Sequence, residues 1–214
     1  MNNDKIHKVS ESIGGLSSSE INTLPLCRYE GAISLINVFG DWKNALSDIE
    51  EDGIIGFDTE TRPSFRKGKA NAPALVQLAT EKKVYLIQLS KLPFGSYLTE
   101  VLSNPHILKV GVGIRFDMRQ LGKIYPFEPA GLVDLGLVAK FNKISAQGLR
   151  TLAAHLLGLR ISKTARCSNW EQPELSQKQI AYAATDAWIG RRIYLCMREL
   201  GFVFPATAPG SDAT

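Results

Sequence analysis

Gly53 to Leu89 reads GIIGFDTETRPSFRKGKANAPALVQLATEKKVYLIQL. An apolar run, GIIGF, ends in Asp58-Thr59-Glu60. A loop of Pro, Gly and cations follows from Arg62, and then ALVQLAT and KVYLIQL return as β-type runs separated by Glu81 and Lys82. Short stretches dense in Val, Ile, Leu, Phe and Tyr between turn-forming residues read as strands. Three such runs so close in sequence can pair as an antiparallel meander. Side chains alternate across a strand, so Asp58 and Glu60 leave one face of the first run while Phe57 and Thr59 leave the other. Two neighbouring carboxylates repel, and each raises the other's hold on a proton unless a cation lies between them. A D-x-E at a strand end is also a common way for a strand to enter a loop, so the pair alone does not make a site.

Working outward, Arg28 to Val38 carries AISLINV, a further strand, and Trp42 to Glu51 reads as a short helix with its charges outside. Downstream, a helix is expected near Phe94 to Leu102, a strand in HILKVGV and a helix from Ile114 to Gly122. A short strand near Leu132 and mostly helix to Leu200 follow, the last helix beginning near Ser176. Strands first, then strand and helix in alternation, then helices imply an α/β domain: a mixed sheet with flanking helices, not doubly wound throughout. Residues 1–23 mix charges with Gly and Ser and are expected to be a flexible extension, and 205–214, with Pro, Gly and small residues, a flexible tail. The domain is expected over 24–204.

The chain has 214 residues, 44% of them hydrophobic and 21% charged, which suits one globular domain. No apolar run approaches the roughly 20 residues of a membrane span, so no membrane partner is expected. The first residues lack the apolar core of a secretory signal, which makes a soluble cytoplasmic protein the expectation. Cys27, Cys167 and Cys196 form neither a CxxC pair nor a zinc-type cluster and read as reduced thiols. The net charge of +4 is only mildly basic, but its placement is uneven. From Leu135 to Trp170 there is no acid, while Lys140, Lys143, Arg150, Arg160, Lys163 and Arg166 all lie there. RPSFRKGK, from Arg62 to Lys69, holds Arg66 and Lys67 in a second acid-free stretch. Any one of these cations is ordinarily solvated surface, but two acid-free stretches read as a footprint for phosphates.

Two further signals carry chemistry. VGVGIRFD runs from an apolar strand through Gly111 and Gly113 into a helix whose first turns carry Asp117, which alone could be a helix-dipole partner. In the last helix Tyr182 and Asp186 are four apart and share a face, and Ala183 and Ala184 between them allow close approach to another element. A D-x-E strand, then a helix-borne Asp, then Y-x-x-x-D on a late helix closely resembles the DEDD superfamily of 3′-5′ exonucleases, the DnaQ-like group with an RNase H-like fold. Tyr182 stands where the other branch has His, so the resemblance is to the tyrosine branch, DEDDy. GFDTE, APALVQL, GVGIRFD, ARCSNW and YAATDA are similar to strings in the exonuclease domains of the Werner-syndrome helicase and, more distantly, of RNase D, over about residues 50–200.

The resemblance implies a metal-dependent exonuclease acting on nucleic acid with a free 3′ end, DNA favoured and tied to repair, with RNA 3′-end trimming as the alternative. A non-catalytic nucleic-acid-binding module would be expected to lack one of the carboxylates. Asp58 would bridge two divalent cations, Mg²⁺ or Mn²⁺. Glu60 and Asp186 would complete the site of one, and Asp117 would support the other largely through water. Tyr182 would orient the attacking water; an ordinary phenol ionises near pH ~10, too high for a general base. Lys163 and Arg166, with Arg66 and Lys67, are the candidate phosphate contacts. Trp170 could stack on a base or pack in the core, and Phe116 could be a wedge, with core packing the preferred reading. Asp134 is expected as a helix cap or a neighbour of the metal ligands. With no Walker-type G-x-x-x-x-G-K-[ST] loop, unwinding is expected from a helicase or other recruiting protein. No room is seen after Leu200 for the extra helical domain of RNase D-like enzymes.

Overall fold

The structure is a computed structural model that describes residues 16–63 and 71–205. It contains α1 (Ser18–Thr23), β1 (Leu26–Cys27), β2 (Ala32–Ile36), α2 (Phe39–Asp52), β3 (Ile54–Thr61), β4 (Pro73–Ala79) and β5 (Lys83–Gln88). These are followed by α3 (Ser96–Ser103), β6 (Leu108–Gly111), α4 (Ile114–Gly122), β7 (Leu132–Asp134), α5 (Leu135–Phe141), α6 (Leu149–Leu157), β8 (Arg160–Ile161) and α7 (Gln177–Glu199). The main sheet runs β2-β5-β4-β3-β6-β7. β3, β4 and β5 form the expected antiparallel meander, while β2 pairs parallel with β5, β6 with β3, and β7 with β6. The sheet is therefore mixed, with the expected α/β architecture.

Strand alternation divides the core into layers. Ile55 and Phe57 of β3, with Val76 and Leu78 of β4, face α2, α3 and α4, where Trp42, Ile49, Leu98, Met118 and Leu121 close the packing. Leu75 and Ala79 of β4 and Leu86 of β5 face the other way, onto Ala183, Ala184 and Ala187 of α7. The second half of α7 continues past Val110 into a cluster with α5 and α6. α7 opens on the expected boundary, because the Ser176 side chain accepts from Gln179 N and the Gln179 side chain returns to Ser176 N. Gly56 permits the close seat of α7 on β3: a Cβ there would lie 1.9 Å from the Ala187 carbonyl oxygen. Only a hydrogen fits.

The extension expected to be flexible through residue 23 departs from that expectation in its last part. α1 is closed by a capping box between Ser17 and Glu20, and Ile21 is buried. Leu16 N donates to His155 Nε2 at 3.1 Å, and β1 pairs in parallel with β8. Backbone groups and one apolar side chain thus find partners on the domain, which the polar composition of this segment does not reveal. Residues 1–15, Arg66, Lys67 and, beyond Pro205, the expected tail lie outside the described residues. Among the described residues no helix is long and apolar enough to cross a membrane.

One lysine sits where apolar patterning gives no hint of it. Lys109, central in β6, is fully buried, and its Nζ donates to the carbonyls of Val101 at 3.1 Å and Asn104 at 2.7 Å. Burial lowers its pKa to about 7.

Candidate active site

β3 delivers the first two carboxylates as alternation dictates. Asp58 and Glu60 leave the face covered by α7, while Thr59 leaves the opposite face, where its hydroxyl donates to Asp117 Oδ1 at 2.6 Å. α7 brings Asp186 over the same face. Asp58, Glu60 and Asp186 each offer a carboxylate oxygen, and these three atoms lie within 4.8 Å of one another. Glu60 and Asp186 are 8% and 7% exposed, which removes water that would otherwise screen their repulsion. Asp117 stands apart from that set of mutually close oxygens, though its charge still raises the pKa of Asp58 and of Glu60.

Protonation follows from this crowding. Burial, then Asp58 and Asp186, push Glu60 up to about 10 against a partial lowering by Arg166. Burial, then Asp186 and Asp117, raise Asp58 well above the usual carboxylate range. Burial raises Asp186 too, with hydrogen bonding to Tyr182 and the charge of Arg166 acting in the other direction. Asp117 rises to about 6 through burial, offset in part by the Thr59 hydroxyl. Without cations Asp58 and Glu60 hold protons at neutral pH, Asp186, at about 7, is near its midpoint, and Asp117, at about 6, is largely ionised; a cation among them would displace those protons. The donors are all oxygens, buried or half-buried and short of positive charge, which fits hard divalent ions and not a sulfur- or imidazole-seeking metal.

Tyr182 is one turn from Asp186 on α7. Its phenol is raised above its ordinary value by burial first, then by the charges of Asp186 and Glu60, so it remains protonated. Trp170 is fully buried, with its ring 6.1 Å from that of Tyr182, and packs against the alanines of α7. Of its two sequence readings, core packing is the one the structure supports. Asp134 caps α5, accepting from Gly136 N at 3.0 Å and Leu137 N at 3.3 Å. Phe116 corrects the sequence reading that placed it in the core. It is 49% exposed because the buried stripe of α4 is Ile114, Met118 and Leu121, and Phe116 falls between those positions.

A cleft of about 490 Å³ opens over the carboxylates. Asp58, Thr59, Glu60, Tyr182 and Asp186 line it together with Arg150, Lys163 and Arg166. Lys163 and Arg166 thus lie in the same cleft as the carboxylates. Arg150 is a cleft residue that sequence reasoning did not single out. Its side chain hydrogen-bonds Asn22 Oδ1 of α1, and its buried Nε has no partner among the described residues. Membership of the acid-free stretch was the available signal, but six cations share it and nothing local marks this one.

Residues 39–201 match the family described as 3′-5′ exonuclease. Over 190 residues the chain is 34% identical to the bifunctional 3′-5′ exonuclease/ATP-dependent helicase WRN of Mus musculus, covering 84% of this chain and 14% of that protein. The crystal structure of the Aedes aegypti Nibbler EXO domain is similar with a TM-score of 0.72 at 25% identity, covering 82% of this chain and 91% of that one. RNase D of Escherichia coli shares the fold, with a TM-score of 0.68 at 22% identity over 78% of this chain and 45% of its own.

Proposed function

The chain belongs to the 3′-5′ exonuclease family, and on that premise we propose that it hydrolyses the terminal phosphodiester of a nucleic-acid strand with the aid of two divalent cations, Mg²⁺ or Mn²⁺. The supporting observation is the convergence of Asp58, Glu60 and Asp186 oxygens within 4.8 Å, in a cleft that Arg150, Lys163 and Arg166 also line. Those three carboxylates and Asp117 would hold the ions, which when bound would supply Lewis acidity at the phosphate and lower the pKa of a water. The protein's own groups do the rest. Tyr182, kept protonated with its hydroxyl on Asp186, orients the attacking water by accepting a hydrogen bond from it on the phenol oxygen. Arg150, Lys163 and Arg166 hold the phosphates of the strand; Arg66 and Lys67, which lie outside the described residues, are further phosphate contacts on the strength of their acid-free stretch of sequence alone. The water oxygen bonds to phosphorus, the bond to the preceding 3′ oxygen breaks, and that oxygen takes a proton. The products are a nucleoside 5′-monophosphate and a strand shorter by one.

We propose DNA as the favoured polymer, on the similarity to an exonuclease joined to a helicase. Any unwinding then comes from a helicase or other recruiting protein. End-labelled DNA and RNA of the same sequence, incubated with Mn²⁺ and with Asp186→Ala as control, test both parts. A ladder shortened from the 3′ end on DNA, absent with the variant, is the expected result. Degradation of RNA alone overturns the polymer assignment, and an active Asp186→Ala overturns the site.

A further inference from the structure

β4 carries one polar side chain among PALVQLA, and it is the one directly beside the cluster. Gln77 is paired in register with Asp58 of β3 on one side and with Leu86 of β5 on the other, so all three side chains share the face covered by α7. It is fully buried, and neither its Nε2 nor its Oε1 has a hydrogen-bond partner among the described residues. A buried amide left unpaired is costly, and its same-face neighbours in β4, Leu75 and Ala79, show that apolar side chains suit this layer. Of its two directly paired neighbours only Asp58 bears an acceptor. Above it α7 presents the methyl groups of Ala183, Ala184 and Ala187. Asp58 already accepts from Thr59 N on Oδ1 at 2.9 Å, which leaves lone pairs free for a further donor.

We infer that Gln77 is a positioning residue for the cation site: its amide N–H turns to donate to the Asp58 carboxylate beside it, and so fixes how Asp58 presents its oxygens to the cations. The inference rests on the reading of Asp58, Glu60 and Asp186 as cation ligands. It gives a buried amide with no partner among the described residues an acceptor on the neighbouring strand. Partners behind metal ligands set ligand orientation, and their loss typically weakens metal binding by about 10–100-fold.

The test titrates the full chain with Mn²⁺ alone, without nucleic acid, by calorimetry or electron paramagnetic resonance, and measures Tm in EDTA. Gln77→Met keeps the volume and removes the amide. Its Mn²⁺ dissociation constant is expected to rise by about 10-fold or more. Its Tm in EDTA is expected to equal or exceed that of the unsubstituted protein, a combination that a merely structural glutamine would not give. Gln77→Asn keeps an amide but withdraws it by one methylene, and is expected to weaken Mn²⁺ binding too; should the Met variant fail to fold, this one decides. Unchanged Mn²⁺ affinity in a folded variant overturns the inference while leaving the exonuclease reading intact. Absence of Mn²⁺ binding in the unsubstituted protein would sink the cation site itself.

Discussion

Arg150 shows how one side chain gains a role from where it is held. Arg150 lines the same cleft as the carboxylates, and its guanidinium donates to the neutral Asn22 amide and makes no ion pair among the described residues, which leaves its charge to face a ligand. Replacing it with alanine should weaken binding of a single-stranded oligomer and make that binding less salt-dependent. A lost phosphate contact lowers the slope of log K against log salt by about 0.7. Fluorescence anisotropy across a salt series measures this, and an unchanged slope would remove Arg150 from the phosphate track. Residues of this kind were the least legible in the sequence. Asp58 and Glu60 share a face by alternation, and Tyr182 and Asp186 by their four-residue spacing, but they read as a site only in combination, through the family resemblance. Arg150, Gln77 and Lys109 depend on what lies across a strand or helix from them, which no local pattern contains. Phe116 was misread although the stripe Ile114, Met118 and Leu121 already excluded it from the buried face.

At the scale of elements, the site depends on how closely α7 lies on β3. A Gly56→Ala substitution places a methyl group against the Ala187 carbonyl, backbone that cannot swing away, so the helix must lift. Overpacking of this kind typically costs about 1–3 kcal/mol. Ala187 is the next residue after Asp186, so the lift also draws that carboxylate from the other two. The expected outcome is a lower Tm together with a larger loss of turnover than an equally destabilising substitution elsewhere; wild-type activity at a reduced Tm would disprove the linkage. The elements themselves were largely visible in advance. The three-strand meander, α4 from Ile114 and the Ser176 start of α7 follow from periodicity and capping signals that are local. α1 and the β1–β8 pair were not visible, because two-residue strands and a six-residue helix are stabilised by partners more than a hundred residues away.

For the whole molecule the buried charges make stability depend on pH. Glu60 has an ordinary pKa of 4.5 and is raised to about 10, so without cations the folded state keeps a proton that the unfolded chain has released. Stability therefore falls as pH rises through that window, by at most about 1.4 kcal/mol per pH unit for each retained proton. Asp58 and Asp186 are raised as well and act in the same direction. Lys109 acts oppositely: its pKa is lowered from 10.5 to about 7, so it adds stability as pH rises between those values. The window from about pH 5 to 7 isolates the carboxylates. Tm in EDTA should drop across it, Asp58→Asn should make the drop shallower, and saturating Mn²⁺ should abolish it. A flat profile in EDTA would mean that the cluster is not crowded enough to hold protons.

The Thr59 hydroxyl leaves β3 on the side away from α7 and grips Asp117, so one strand's thickness separates two layers that are nonetheless lashed together. The first turns of α4 are thereby tied, through a single alcohol, to the strand that carries Asp58 and Glu60.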